Sequence, residues 1–439
     1  MSPTVTDHRE RPAAMAASPS PGRLPGSARA DCPGHSPHAG HGRPAAPRHV
    51  AFWLLAFVFA ATMLGTTLPT PLYVIYQAQW HFSAAIVTVV FAVYAAGVLA
   101  ALLLAGQSSD QAGRKPVLAA ALGASALSTV VFILATNVEV LMAGRIVSGL
   151  SAGLMTGTAT AALTELIPPS AGRRVALVAT AANMGGLGLG PLMAGIFAQY
   201  APHPTTLVFE VYLALLAAAG LCLVFVPETV SPRQRPSLRF AGLGIPERAR
   251  GEFLAAAASA FSAFSLLGLF SALVPTFLGS VLHEHSHAIA GSVVFGIFAV
   301  GTATQLLAYR LPTRPVVVAG LGLLLAALAL IVAALAQAAI MLFLAGTVVA
   351  GIAVGAVFLG SLATAHRLAP PKRRGHAIST FFVACYCGLV IPVVGVGVAA
   401  DFIGTFPAVL ALTIVLAALC IAALRSIVKA IAPGKAGHQ

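Results

Sequence analysis

From Val50 onward the chain is built of apolar runs separated by short polar breaks. The runs cover about 50–72, 83–106, 116–136, 138–164, 174–199, 206–227, 252–279, 287–309, 315–336, 338–364, 376–400 and 405–427. Each approaches the ~20 residues that an α-helix needs to span a hydrocarbon core. Inside lipid a backbone must satisfy its own N–H and C=O groups, so runs of this kind are predicted to be helices. Glycine and proline recur within them without ending them, because packed neighbours re-satisfy the freed groups. Residues 1–48 show no helical or alternating pattern and are rich in Pro, Gly, Ser, Ala and His, so a disordered tail is expected there.

Composition agrees with lipid as the main solvent. Hydrophobic residues make up 58% of the 439 and charged residues only 8%, where a soluble domain carries about 25% charged. A formal charge of +13 would by itself suggest nucleic acid or an anionic surface as partner. The placement excludes nucleic acid: 24 of the 25 Lys and Arg residues fall in the N-terminal tail or in alternate breaks, and the other breaks hold none. This is the positive-inside asymmetry. It predicts a multi-pass protein of the cell (inner) membrane with both termini in the cytoplasm.

The longest basic break, 228–251, falls midway and divides a repeat. Gly144, Gly149 and Gly153 recur at an offset of 202 as Gly346, Gly351 and Gly355, and Pro168-Pro169 recurs as Pro370-Pro371. Nearby offsets carry Lys115-Pro116-Val117 onto Arg314-Pro315-Val316 and Pro191 onto Pro392. Two related halves follow. The expected fold class is an all-α membrane protein with 12 transmembrane helices in two pseudo-symmetric six-helix bundles. The expected organisation is a tail (1–48), a first bundle (49–227), a linker (228–251), a second bundle (252–428) and a short tail (429–439).

The break after the second run reads Gly106-Gln-Ser-Ser-Asp110-Gln-Ala-Gly113-Arg114-Lys115. Here the sequence resembles the major facilitator superfamily, whose motif G-x-x-x-D-x-x-G-R-K/R lies in this loop. The helix count and repeat extend the resemblance over residues 50–427. Asp110 and Arg114 stand four apart at a membrane edge, and Gly113 permits the turn that brings the basic pair round. In the family such a cluster joins the two halves on the cytoplasmic side and releases as the protein switches states. Gly106, Asp110, Gly113, Arg114 and Lys115 are therefore expected to form a conformational switch, beyond the topological role of the two basic residues.

Arg145 is the one basic residue inside a run. Such a residue costs roughly 2.5–3.5 kcal/mol on insertion scales and should face the protein interior, paired or bonded to carbonyls. With Gly149 and Gly153 it resembles the family's R-x-x-x-G-x-x-x-G motif, and the repeat has Thr347 in its place, so a role in substrate or proton handling is expected. Gly186, Gly190, Pro191 and Gly195 resemble G-x-x-x-G-P-x-x-G-G of drug:proton antiporters, with Ala194 replacing one glycine; they also suit helix packing and bending. Run one ends Pro69-Thr-Pro71-Leu-Tyr73, similar to the family's exporters, but lacks the acid many of those carry there. Glu210 is the best remaining proton candidate, with snorkelling as its ordinary explanation.

Two enzyme motifs occur. His283-Glu284-His285-Ser286-His287 satisfies H-E-x-x-H but sits in a brief outer loop without a third ligand, and Gly149-Leu-Ser151-Ala-Gly153 satisfies G-x-S-x-G but loses its serine in the repeat, where Ala353 stands. Cys385-x-Cys387 lies within an apolar run without a second pair. The five cysteines form no disulfide framework, and His35, His38 and His41 belong to the low-complexity tail. No enzyme activity, cofactor or metal is expected.

The resemblance implies a secondary active transporter working by alternating access as a monomer, with the lipid bilayer, a small-molecule substrate and protons as partners. The leading expectation is proton-coupled multidrug-type efflux of amphipathic compounds, an antiporter of the kind that confers drug resistance. A proton-coupled importer of a sugar or other metabolite is the alternative, and a membrane-embedded hydrolase or non-transporting receptor is a third. By resemblance, the first, fourth, seventh and tenth helices line the pathway, with Tyr73, Phe264 and Phe270 as wall residues.

Overall fold

A computed structural model describes residues 46–105, 108–168, 172–230, 243–246, 249–280, 286–370 and 374–429. Gly106, the tail histidines and His283, Glu284 and His285 lie outside the described residues. Among the described residues there is no strand, and 12 helices are long and apolar enough to cross a membrane. The first span is α1 (Arg48–Thr67), a 3₁₀ turn (Thr70–Leu72) and α2 (Tyr73–Trp80). Then come α3 (Ala84–Ala105), the short α4 (Ser108–Ala112), α5 (Arg114–Ile133), α6 (Val138–Leu166), α7 (Gly172–Tyr200) and α8 (Pro204–Phe225). The second half comprises α9 (Arg250–Ser280), α10 (His287–Ala308), α11 (Thr313–Ala336), α12 (Ile340–Leu368), α13 (Arg374–Ile403) and α14 (Thr405–Lys429).

The first span runs further than its apolar run. Pro69 and Pro71 have no N–H, so the α-helical ladder fails there. The chain crosses the gap in the 3₁₀ turn and resumes as α2, which ends where His81 adopts a left-handed φ of 52° and donates its N–H to Gln77 O at 2.9 Å.

Enclosure by protein separates central spans from peripheral ones. The first and seventh spans are 72% and 83% buried over their most apolar windows, against 33% for the sixth and twelfth, with the others between. Lipid offers no hydrophobic force between helices, so close approach rests on small residues. A methyl group on Gly149 of α6 would stand 2.1 Å from Tyr94 O of α3, and one on Gly355 of α12 would stand 2.4 Å from Gly301 O of α10. The sequence repeat is thus the same helix-pair contact built once in each bundle.

The two bundles meet through α7 against α10 and α3 against α13. A methyl on Gly291 would lie 2.3 Å from Pro191 O, one on Gly195 2.5 Å from His287 O, and one on Gly397 2.5 Å from Thr88. His287 N–H also donates to Gln199 Oε1 at 3.0 Å. These contacts all sit on the helix ends remote from the basic loops.

Candidate functional site

The break in the first span creates the site around Arg145. Carbonyls at the end of α1 have lost their helical donors, and the Arg145 Nη1 of α6 donates to one of them, Thr66 O, at 2.6 Å. The guanidinium also lies over the Tyr94 ring, 4.4 Å from its centroid, a cation–π geometry. Arg145 is 0% exposed. Its Nε and Nη2 have no hydrogen-bond partner, nor do the buried hydroxyls of Thr70, Tyr73 and Tyr76 beside the break. Among the described residues no carboxylate makes an ion pair with Arg145. An uncompensated buried cation surrounded by idle donors and hydroxyls is an acceptor-binding environment.

A second proline-bearing helix, the continuous α7, packs against the end of α1. Pro191 cannot donate to Leu187 O four residues back, and Thr67 Oγ1 at the end of α1 supplies the bond instead, at 2.6 Å. Gly186 and Gly190 allow this approach, since a methyl on Gly190 would stand 2.3 Å from Leu64 O. The glycines of α7 thus serve two faces: Gly186 and Gly190 meet α1 of their own bundle, and Gly195 meets α10 of the other.

The remaining expected site residues scatter. Tyr73, 2% exposed, joins the Arg145 cluster. Phe264 of α9 contacts Phe358 and Tyr386, ring centroids 5.3 and 6.2 Å away, forming an aromatic wall in the second bundle. Phe270 stacks on Phe343 at 5.8 Å inside that bundle. Glu210 is exposed on α8, on a surface away from its buried neighbours Phe209 and Tyr212.

The switch loop is held by two carboxylates that sequence reasoning missed. Arg114 pairs with Asp110 at 2.7 Å and with Glu165, at the end of α6, at 2.8 Å, and donates to Ser109 Oγ at 2.6 Å. Glu228 accepts the N–H groups of Arg114 and Lys115 at 2.8 and 3.0 Å, placing a negative charge at the positive end of α5. Lys115 Nζ reaches Val224 O at 2.7 Å, and Thr229 Oγ1 donates to Glu165. Gly113 has φ 98°, and a methyl there would stand 2.7 Å from Glu228 Oε2, so both backbone and contact call for glycine. Every partner named here lies in the first bundle or at the very start of the linker. Glu228, assigned to the linker by its sequence position, bonds into the bundle. The signal for Glu165 lay in the repeat, which aligns it with Arg367.

Ser151 Oγ, the candidate nucleophile, donates to Ala121 O at 2.7 Å, a packing bond between α6 and α5. Cys385 and Cys387 are free. Among the described residues no three His, Cys, Asp or Glu side chains gather as a metal site.

Comparison with known proteins fits this architecture. The model of the Major Facilitator Superfamily matches residues 55–388. A triacylglyceride transporter of Mycolicibacterium hassiacum is 34% identical over 160 residues, 34% of this chain and 27% of that protein. The multidrug resistance protein MdtL of Citrobacter koseri is 30% identical over 167 residues, 36% and 40% of the two chains. The aligned part thus spans well under two thirds of these curated relatives. Among solved structures, a bacterial homologue of the human lysosomal transporter Spinster, inward-facing and occupied, superposes with a TM-score of 0.66 at 15% identity, covering 87% of this chain and 98% of that one. The human organic anion transporter MFSD10 gives 0.61 at 18%, covering 87% and 100%. At such identities the structural likeness shows the fold, while the family match spans three quarters of the chain. With that match, and with twelve helices among the described residues long and apolar enough to cross a membrane, the chain belongs to the Major Facilitator Superfamily and is a multi-pass membrane protein.

Proposed function

We propose that the protein exports small amphipathic compounds across the inner membrane by alternating access, driven by the proton gradient, with both termini in the cytoplasm. The observation that carries the reading is Arg145, fully buried, unpaired by any described carboxylate, with two idle nitrogens beside idle tyrosine and threonine hydroxyls. An aromatic wall from Phe264, Phe358 and Tyr386 offers the apolar counterpart. A substrate with an acceptor or anionic head and an apolar body suits both.

Export is supported by the glycine and proline run of α7 and by the multidrug resistance name of the MdtL relative; the triacylglyceride transporter relative adds an apolar substrate class. Close backbone contact between bundles at the ends remote from the basic loops supports a state shut toward the outside. Asp110, Arg114 and Lys115 would then close the opposite side in the other half of the cycle.

The test uses the purified protein in vesicles with an imposed pH gradient and a panel of anionic dyes, cationic dyes and sugars. Gradient-dependent movement of an amphipathic dye, lost in Arg145→Gln, is the expected result. Movement of a sugar alone, or dye movement indifferent to the gradient, overturns the proposal.

A further inference from the structure

We infer that the basic-side end of the second bundle carries a separate phosphate-binding site between α9, α11, α12 and α14. A cavity of about 180 Å³ opens there, lined by Glu252, Arg314, Val317, Ser361, Thr364 and Ser426 among others; one water needs only ~10–15 Å³. The first bundle shows what an unused version of the place looks like. At the offset of 202, Ala159 and Ala162 replace Ser361 and Thr364, and at the offset of 199 that carries Lys115 onto Arg314, Leu118 aligns with Val317; these are 0%, 1% and 0% exposed and packed into the core. At the places of these three side chains the second half has room and hydroxyls; the first bundle's own cavity, between α5 and α8 beside Lys115, is lined otherwise by apolar residues such as Leu122, Leu216 and Leu223.

The charges differ in the same direction. Glu165, the acid that pairs with Arg114, aligns with Arg367, and Lys115 aligns with Arg314. Two guanidinium groups therefore share one carboxylate, Glu252, which lies 3.6 Å from Arg314 and closer still to Arg367. Among the described residues one positive charge is left over. Whereas Glu228 accepts the first N–H groups of α5, α11 follows Pro312, whose side chain cannot cap it, and among the described residues no carboxylate accepts from that helix end.

The independent sign of a ligand is Ser361. It is 0% exposed, lines the cavity, and its Oγ has no partner. A helical serine commonly returns its hydroxyl to the carbonyl four residues back, as Ser259, Ser262 and Ser265 do here. A phosphate offers only strong acceptors, so it can use a guanidinium, helix N–H groups and a hydroxyl at once. At a basic membrane edge it can come from an anionic lipid headgroup or from free phosphate. This inference does not depend on the substrate of Arg145.

The full chain, purified and delipidated, is titrated with phosphatidylglycerol, phosphatidylcholine and inorganic phosphate, with binding read by native mass spectrometry and thermal unfolding. Retention of phosphatidylglycerol over phosphatidylcholine is expected for a headgroup, and stabilisation by inorganic phosphate for the free anion. In either arm Arg314→Gln should bind about tenfold more weakly, the loss expected for a charge-assisted hydrogen bond. Ser361→Ala, which leaves the packing intact, should weaken binding in the same arm. Lys429→Gln, at the end of α14 and outside the cavity lining, should bind like the parent. No binding in either arm, or equal weakening by Lys429→Gln and Arg314→Gln, overturns the site.

Discussion

Thr67 Oγ1 and Leu187 O are joined at 2.6 Å, 120 residues apart in the chain, and the bond exists because Pro191 has no N–H to offer. The end of α1 thereby supplies the donor that a proline inside the continuous α7 withholds. Thr67→Val keeps the shape and removes the donor, leaving a buried carbonyl unsatisfied at a cost of about 1–3 kcal/mol. Unfolding of purified protein in detergent should show the loss, and Thr67→Ser should recover most of it. Equal stability for the Val and Ser variants would mean that the carbonyl finds another donor.

Arg145 separates stability from activity in the opposite sense. A lone charge at depth costs roughly 2.5–3.5 kcal/mol, and the structure provides no described acid to offset it. Arg145→Met should therefore unfold no earlier than the parent, while transport in vesicles falls by more than about tenfold, the factor attached to ~1.4 kcal/mol. A variant that unfolds several degrees lower would assign Arg145 to holding α6 on α1.

The parts of the fold visible in the chain are those that depend on local pattern. Twelve apolar runs give twelve spans because a bilayer fixes helix length, and the repeat of Gly149 and Gly153 at Gly351 and Gly355 is legible because close helix contact demands those positions. The switch loop was visible as a motif, but its partners were not. Glu165 and Glu228 lie 51 and 114 residues from Arg114, with nothing local to mark them as its ligands. The extension of the first span through Tyr73–Trp80 was hidden because Pro69 and Pro71 read as an end. The carbonyl acceptor of Arg145 was hidden for the same reason: a freed backbone group has no side-chain signature.

The switch loop gives a graded prediction. Asp110 is 63% exposed in its side chain and Glu165 30%, around an Arg114 side chain that is 11% exposed. A solvent-exposed pair contributes about 0–1 kcal/mol, whereas the Glu165 contact is more shielded and made through several N–H groups. Glu165→Gln should loosen the loop more than Asp110→Asn does. Limited trypsin digestion checks this at the Arg114–Lys115 bond: cleavage should accelerate strongly in Glu165→Gln and slightly in Asp110→Asn. The reverse order would place the restraint on Asp110.

Gly291 offers a direct handle on the contact between bundles. A side chain there must displace Pro191 O, 2.3 Å from its first carbon, and the Gly195 backbone, 3.0 Å away. Backbone atoms cannot rotate aside, so Gly291→Leu should force α7 and α10 apart at the ends remote from the basic loops, with overpacking of about 1–3 kcal/mol. If that contact closes the outside, the variant populates the outward-open state more than the parent does. Spin labels at Tyr200 and Ile289, both exposed near these ends, should then report a longer distance, and a label pair on the basic side a shorter one. A lower melting temperature with both distances unchanged would show that the glycine pair only packs, and that the movement between states turns on other contacts.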